Sequence, residues 1–289
     1  MEPTNEIREF LVSRRARITP DQAGLPVYGV RRRVAGLRRE EVAMLAGISV
    51  EYYTRLERGS ATGASNEVLE GITRALQLDE AERTHLLDLV RTATARAPRR
   101  RPTQDRVRPT VTRVLDSITR YPAYVRNGRL DILAANALGA ALYAQVLDDR
   151  TLPVNMARFV FFDPRATTFF VDWEGVANDT VAILRGQAGR DPFDRRLTDL
   201  IGELSTRSDE FRVRWANHNV KFHRNGVKRL HHPVVGDLTL DYEAFELGAD
   251  PGQRINIYTA EPGTASAAAL DLLASWSATS APRAAVDER

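Results

Sequence analysis

The sequence predicts a multi-domain protein: an all-α N-terminal domain followed by an α+β domain built on an antiparallel sheet. Three observations predict it. Over the first 95 residues apolar side chains recur at helical spacing. From residue 123 onward short segments alternate apolar and polar positions between turn signals, the pattern of half-buried strands. Between the two, ARAPRRRPTQDRVRP is rich in arginine and proline and has no apolar period. The boundaries expected are 1–95 for the helical domain, 96–109 for a linker, 110–276 for the second domain and 277–289 for a frayed tail.

The first helix is expected over 5–17, where Ile7, Phe10, Leu11 and Arg14 fall on one face. Pro20 and Pro26 bound a loop, and the basic run Arg31, Arg32 and Arg33 follows. Helices are then expected at 39–46, 50–58 and 66–76, the last with Val68, Leu69, Ile72, Ala75 and Leu76 together. A helix over 79–95 opens with Asp79 and Glu82 at capping-box spacing. Beyond the linker a helix is expected at 111–121. Strands are expected in AYVRNG, RLDILAAN, VKRLHHPVVG, DLTLDYEAFEL and QRINIYTAE, with hairpin turns at Asn127-Gly128 and Gly236-Asp237. Helical pieces at 136–147, 174–189, 195–207 and 209–217 lie between the strands. Such a grouping suits an α+β domain.

Composition excludes several classes of function. The 289 residues contain no cysteine, which removes disulfides, thiolate metal sites and a cysteine nucleophile, and fits a reducing compartment. Glu2 and Glu6 with no long apolar run argue against a signal peptide, and no stretch reaches the length of a membrane span, so a cytoplasmic location is expected. The formal net charge of +3 is unevenly spread. Residues 1–110 hold 20 Arg against 15 Asp plus Glu, a balance of +5, leaving −2 for the remainder.

The segment RREEVAMLAGISVEYYTRLERG, residues 38–59, is an amphipathic helix broken at Gly47 and restarted at once. Val42, Ala43 and Leu45 are expected to face inward, with Ala43 small where helices approach. Gly47 admits a backbone angle that other residues resist, and Ser49 can cap the second helix. Tyr53 and Leu56 point to the core; Val50, Glu51, Thr54 and Arg55 point outward. This is a helix-turn-helix, in which one helix braces on the DNA backbone and the next enters the major groove. An αα-hairpin in a purely structural helical scaffold uses the same turn, but does not account for the basic approach segment.

Residues 5 to about 93 resemble the actinobacterial branch of the xenobiotic-response-element (XRE, phage-repressor-like) helix-turn-helix regulators. The resemblance lies in LVSRRARITP, GLRREEVAMLAGISVEYYTRLERG and VLEGITRALQLDEAERTHLLDL. Residues 107 to about 276 resemble the ligand-binding domain of MmyB-like transcription regulators, through FFDPRAT, DWEGVAND, LIGELSTRSDEFRVRWANHNV, HHPVVGDLTLDYEAFEL and QRINIYTAEPG. Two departures stand out: GSATGAS at 59–65 lacks the family's arginine and proline, and Asn217 and Asn219 flank His218 where relatives carry Arg and Asp.

The resemblance implies a PAS-like second domain and a DNA-binding regulator of transcription, repressor-like, controlled by a small hydrophobic or fatty-acid-like effector. It places Val50, Glu51, Tyr52 and Arg55 at base edges. There Arg55 suits guanine, Glu51 the amino group of cytosine and Val50 a thymine methyl. Arg38 and Arg39 open the bracing helix, where a phosphate meets both guanidinium and helix N-terminal amides. Arg31, Arg32 and Arg33 complete the expected DNA contacts. The partners implied are a double-stranded operator, the effector and a second copy of the chain, since two-fold operators ask for two-fold proteins. The second domain is the expected dimer surface.

An enzyme reading finds little support. His218, His223, His231 and His232 lie close in sequence, but no HExxH or His-x-His occurs and phosphate-gripping glycine motifs are absent, so neither catalysis, cofactor nor metal is expected. His231 and His232 should point to opposite faces of a strand. The run RFVFFDPRATTFFVDW either fills a core or lines a pocket. On the pocket reading Phe161, Phe169, Trp173, Trp215 and Tyr242 line an apolar cavity under the sheet, and Asn136, His218 and His231 supply its polar groups. The rival reading is a second domain that binds no ligand and serves protein interaction or dimerisation.

Overall fold

The computed structural model describes residues 3–25, 34–94, 106–147, 151–220 and 225–280. In chain order the elements are α1 (Pro3–Arg17), α2 (Arg39–Ala46), α3 (Val50–Glu57), α4 (Asn66–Ala75), α5 (Glu80–Thr94), α6 (Pro109–Ser117), β1 (Ala123–Arg126) and β2 (Asp131–Ala135). There follow α7 (Ala137–Leu142), α8 (Ala144–Leu147), β3 (Val154–Asn155), α9 (Met156–Phe162), α10 (Ala166–Phe169), α11 (Trp173–Arg190), α12 (Arg195–Arg207) and α13 (Asp209–Ala216). The chain then forms β4 (Asn225–His232), β5 (Gly236–Glu246), β6 (Arg254–Thr259) and α14 (Ala265–Ser280). No described helix is long and apolar enough to cross a membrane.

Two compact units result: Met1–Arg100 with Val181–Phe222, and Arg101–Thr180 with His223–Arg289. Residues 181–222 thus group with the N-terminal helices, although sequence order placed them in the second domain.

The first unit is all-helical. Ile7, Phe10 and Leu11 of α1 pack with Val42, Ala43, Tyr53, Leu56, Leu69, Ile72, Leu86 and Leu89, and Val220 joins the same core. Local signals fix the helix ends. Gly47 has φ +70° and its N–H caps α2 on the carbonyls of Ala43 and Met44; Ser49 Oγ accepts the Tyr52 N–H at 3.1 Å. Asp79 and Glu82 satisfy each other's backbone N–H, at 2.8 and 3.2 Å, as a capping box. Gly71 of α4 is the close approach: a Cβ there would lie 2.6 Å from the Ala46 carbonyl oxygen. Leu45 corrects the sequence reading, since it is 36% exposed beside exposed Met44. On so short a helix only Val42 and Ala43 are fully buried, with Ala46 packed at the edge of the core.

The second unit is built on an antiparallel sheet of six strands in the order β3-β2-β1-β6-β5-β4. On one face Val111 and Leu115 of α6 meet Ala123, Val125 and Ile255. On the other, Tyr124, Ile132, Leu230, Leu238, Leu240, Tyr242 and Tyr258 are covered by α7, α9, α10 and α14. The β1–β2 turn falls at Asn127, whose side-chain oxygen accepts the Arg129 and Asp131 N–H groups at 2.9 and 3.0 Å. The β4–β5 turn differs from expectation. His232 pairs with Gly236, so the loop is Pro233 to Val235, and Gly236, at φ +74°, opens the next strand. The three-residue hairpin needs a left-handed residue at its end, which is what the glycine supplies.

Candidate functional site

The exposed surface of the turn between α2 and α3 is assembled from the inside outward. Tyr53, Leu56 and Glu57 anchor α3 in the core, which turns Val50, Glu51 and Arg55 to solvent. The Arg55 guanidinium lies 5.0 Å from the centroid of the Tyr52 ring, and Tyr52 OH donates to the Gly63 carbonyl at 3.2 Å. An aromatic face holds Arg55. Tyr52 also ties the 59–65 loop to α3. The surface presents an apolar tip, a carboxylate and a stacked guanidinium, the groups that read base edges.

At α2, Arg38 precedes the first turn and Glu41 accepts its N–H at 2.6 Å. The Arg38 guanidinium is 3.7 Å from Glu40. Arg39 is committed further: it and Arg15 share the carboxylate of Glu57, which is 1% exposed, with Arg15 Nε at 2.7 Å. Arg15 also donates to the Leu37 carbonyl at 2.8 Å. This links α1, α2 and α3 around one buried anion. Sequence reasoning missed Glu57; its i,i+4 spacing from core-facing Tyr53 was the available signal. Arg31, Arg32 and Arg33 lie outside the described residues.

The expected pocket residues fall in different places. Phe169 is fully buried and contacts Tyr143, Phe159 and Phe170 edge-on. Phe161 and Trp173 meet at 6.3 Å on the same cluster, with Trp173 Nε1 donating to the Val160 carbonyl at 3.0 Å. Tyr242 lies 6.0 Å from Tyr258. All of these belong to the second unit. Trp215 and His218 do not. They belong to the first unit, where Trp215 stacks on Phe211 at 5.4 Å and the Arg185 guanidinium sits 4.0 Å above its ring.

His218 sits in a buried polar cluster. Arg185 donates to its Nδ1 at 2.9 Å and to Glu6 at 2.9 Å, Arg14 donates to its carbonyl, and its Nε2 lies 3.3 Å from Glu9. Burial, then the Arg185 and Arg14 charges, push its pKa down to about 4. The ring is therefore neutral, and its 3.3 Å approach to Glu9 is not an ion pair. Burial likewise drives His85 to about 3.

Asn136 and His231 are also corrections. Asn136 caps α7: its oxygen accepts from the N–H of Ala123 and Gly139, and its amide donates to the carbonyls of Ile118 and Tyr121. Every polar position is occupied by backbone. His231 is exposed and paired with Asp237 at 2.6 Å, whereas His232 is the core histidine. Its Nε2 donates to the Ala141 carbonyl at 3.1 Å and its Nδ1 accepts the Val234 N–H at 3.2 Å. Two buried polar residues on the core face of the sheet, Arg126 and Asn256, went unread in the sequence. Among the described residues no group of three or more His, Asp or Glu is placed to hold a metal.

A capped helix-turn-helix followed by an antiparallel α+β domain defines a DNA-binding regulator of transcription. Residues 29–86 match a helix-turn-helix domain. Residues 107–273, more than half of the chain, match the MmyB-like transcription regulator ligand binding domain, and the chain belongs to that family. No curated protein matches it.

Proposed function

We propose that the protein is a sequence-specific, repressor-like switch of the XRE type from the actinobacterial branch, acting in the cytoplasm as a homodimer. Its second domain is PAS-like and answers to a small hydrophobic, fatty-acid-like effector. The observation that carries this reading is the outward surface of α3, where Val50, Glu51 and Arg55 are exposed while Tyr52 supports the guanidinium. Arg38 and Arg39 serve the backbone, with Arg31, Arg32 and Arg33 as the approach segment. Selection of binding sites from random duplexes, with the full-length protein at fixed salt, tests it. A two-fold sequence whose occupancy changes with added fatty acid is expected; enrichment of no sequence would refute specific recognition.

A second reading has its own support. Tyr124, Tyr143, Tyr258, Phe159, Phe169 and Phe170 pack in continuous ring contact, and Leu272 and Trp276, one turn apart on α14, are exposed. A solid core with an apolar patch outside suits a dimerisation or protein-interaction module that takes no ligand. Light scattering of full-length Leu272→Ser, Trp276→Ser protein separates the two. A dimer-to-monomer change with operator binding lost favours the module; an unchanged dimer that still answers to fatty acid disfavours it.

A further inference from the structure

Three helices of the first unit bury basic side chains together without giving all of their nitrogens an acceptor. Arg14 of α1, His85 of α5 and Arg185 of α11 are 2%, 4% and 1% exposed. Both guanidinia reach His218: Arg14 donates to its carbonyl, and Arg185 Nη1 meets its Nδ1 at 2.9 Å. The His85 ring borders the same place. It meets the Phe10 ring edge-on at 5.2 Å, and the Arg14 guanidinium lies 4.9 Å from the centroid of that ring. Gly189, one turn after Arg185 on α11, makes room for the imidazole, since a Cβ there would fall 2.7 Å from His85 Nδ1.

The nitrogens gathered in this way are unused. Arg14 Nη1, Arg185 Nε and both ring nitrogens of His85 have no hydrogen-bond partner, and Arg14 Nε lies 3.1 Å from Glu82 without bonding to it. Buried polar groups are almost always satisfied, and a donor left without an acceptor forfeits the bonds it made to water. The carboxylates at hand are engaged elsewhere. Glu82 accepts from Arg17 at 2.8 Å and Glu6 from Arg185 Nη1 at 2.9 Å, while Glu9, 44% exposed, approaches His218. The charges that bear on His85 are those of Arg185, Arg14 and Arg190, all positive. Guanidinium nitrogens donate and never accept, and an imidazole can present an N–H beside them. One negatively charged acceptor answers all three side chains. Burying charge is costly even when it is paired, so the ion that fits carries a single charge.

We infer that Arg14, His85 and Arg185 enclose a site for one small monovalent anion of the halide class, held between α1, α5 and α11. The site shares no residue with the outward surface of α3 or with the second unit.

The test melts full-length protein at one total ionic strength in sodium gluconate, chloride and bromide. Exclusion of ions from the protein surface would rank bromide lowest. A bound halide should instead raise the midpoint in chloride and bromide above that in gluconate by about 3 °C or more, the shift expected when the ion stands about tenfold above its dissociation constant. His85→Leu and Arg14→Met should remove most of that increment, whatever they do to the midpoint itself. Wild-type crystals grown in bromide should show an anomalous peak in contact with Arg14, His85 and Arg185, which decides the location if neither variant folds. A midpoint no higher in halide than in gluconate would overturn the inference, and a bromide at the site would then be binding at crystal concentration only. An increment that both variants keep would overturn it as well, as would a bromide found only elsewhere, such as at the exposed arginines of α2 and α3.

Discussion

The guanidinium of Arg39 closes on the carboxylate of Glu57, an anion buried at the end of α3 that Arg15 reaches from α1. Replacing Glu57 by Ala leaves the largely buried Arg15 without its counter-ion, and breaking a buried pair in this way costs about 3–5 kcal/mol. Urea denaturation should show a loss of that order. Arg39→Ala should cost less, because Arg15 still neutralises the carboxylate. Equal losses for the two would mean that Glu57 is not the hub.

The two ends of the motif should fail differently on DNA. Arg55→Ala should weaken operator binding by about 1–3 kcal/mol and relax the preference at one base pair. Arg38→Ala, at the proposed backbone-positioning site, should weaken operator and scrambled duplex alike. Binding isotherms of both variants on both duplexes at one salt concentration check this. Parallel losses for Arg55→Ala would remove it from base readout.

Two glycines separate conformational from steric need. A Cβ at Gly47 meets nothing within 4 Å, yet φ is +70°, so Gly47→Ala should cost only the left-handed penalty of about 1–2 kcal/mol. At Gly71 the angle is ordinary but the Cβ falls 2.6 Å from the Ala46 carbonyl oxygen. Gly71→Ala must push α4 off α2 and should cost more, about 1–3 kcal/mol, as overpacking does. Denaturant midpoints of the two variants rank them.

Acid should loosen the first unit. His218 and His85 have folded pKa values near 4 and 3, below their ordinary 6.5. A group depressed in the fold takes up its proton first in the unfolded chain. The stability it contributes is complete above about pH 6.5 and falls away as pH drops toward 4 and 3. Calorimetry from pH 7 to 4 should show a declining midpoint, and His218→Gln should decline less steeply. A flat profile would place both imidazoles in water.

Legibility followed the range of each signal. Gly47, Ser49 and the Asp79–Glu82 box act within a turn or two, and the helix-turn-helix could be read from them almost to the residue. The α+β class was readable because alternation in VKRLHHPVVG and DLTLDYEAFEL is also local. β3, α9 and α10 escaped because two to seven residues carry too little period. α14 escaped because ASAAALDLLASWSATS grades into an expected tail, although the helix runs to Ser280. Glu57 left only its i,i+4 spacing from Tyr53, and Arg126 and Asn256 are defined by what surrounds them in space, which no spacing rule reaches. Trp215 and His218 were assigned to the pocket by their order in the chain, whereas their partners Arg185, Arg14 and Glu9 belong to the first unit.

Residues 181–222 fall inside the ligand-binding family match, yet Arg185, His218 and Val220 are built into the unit that holds α1 to α5. A gene cut at the arginine-proline linker would therefore yield no self-sufficient DNA reader: Glu6, Arg14 and His85 would lose the neighbours that now cover them. A chimaera that exchanges the second domain must carry this stretch across intact, and must also match it to the α1 and α5 of the recipient. The ligand-binding match and the helix-turn-helix unit thus share one stretch of chain that neither can give up alone.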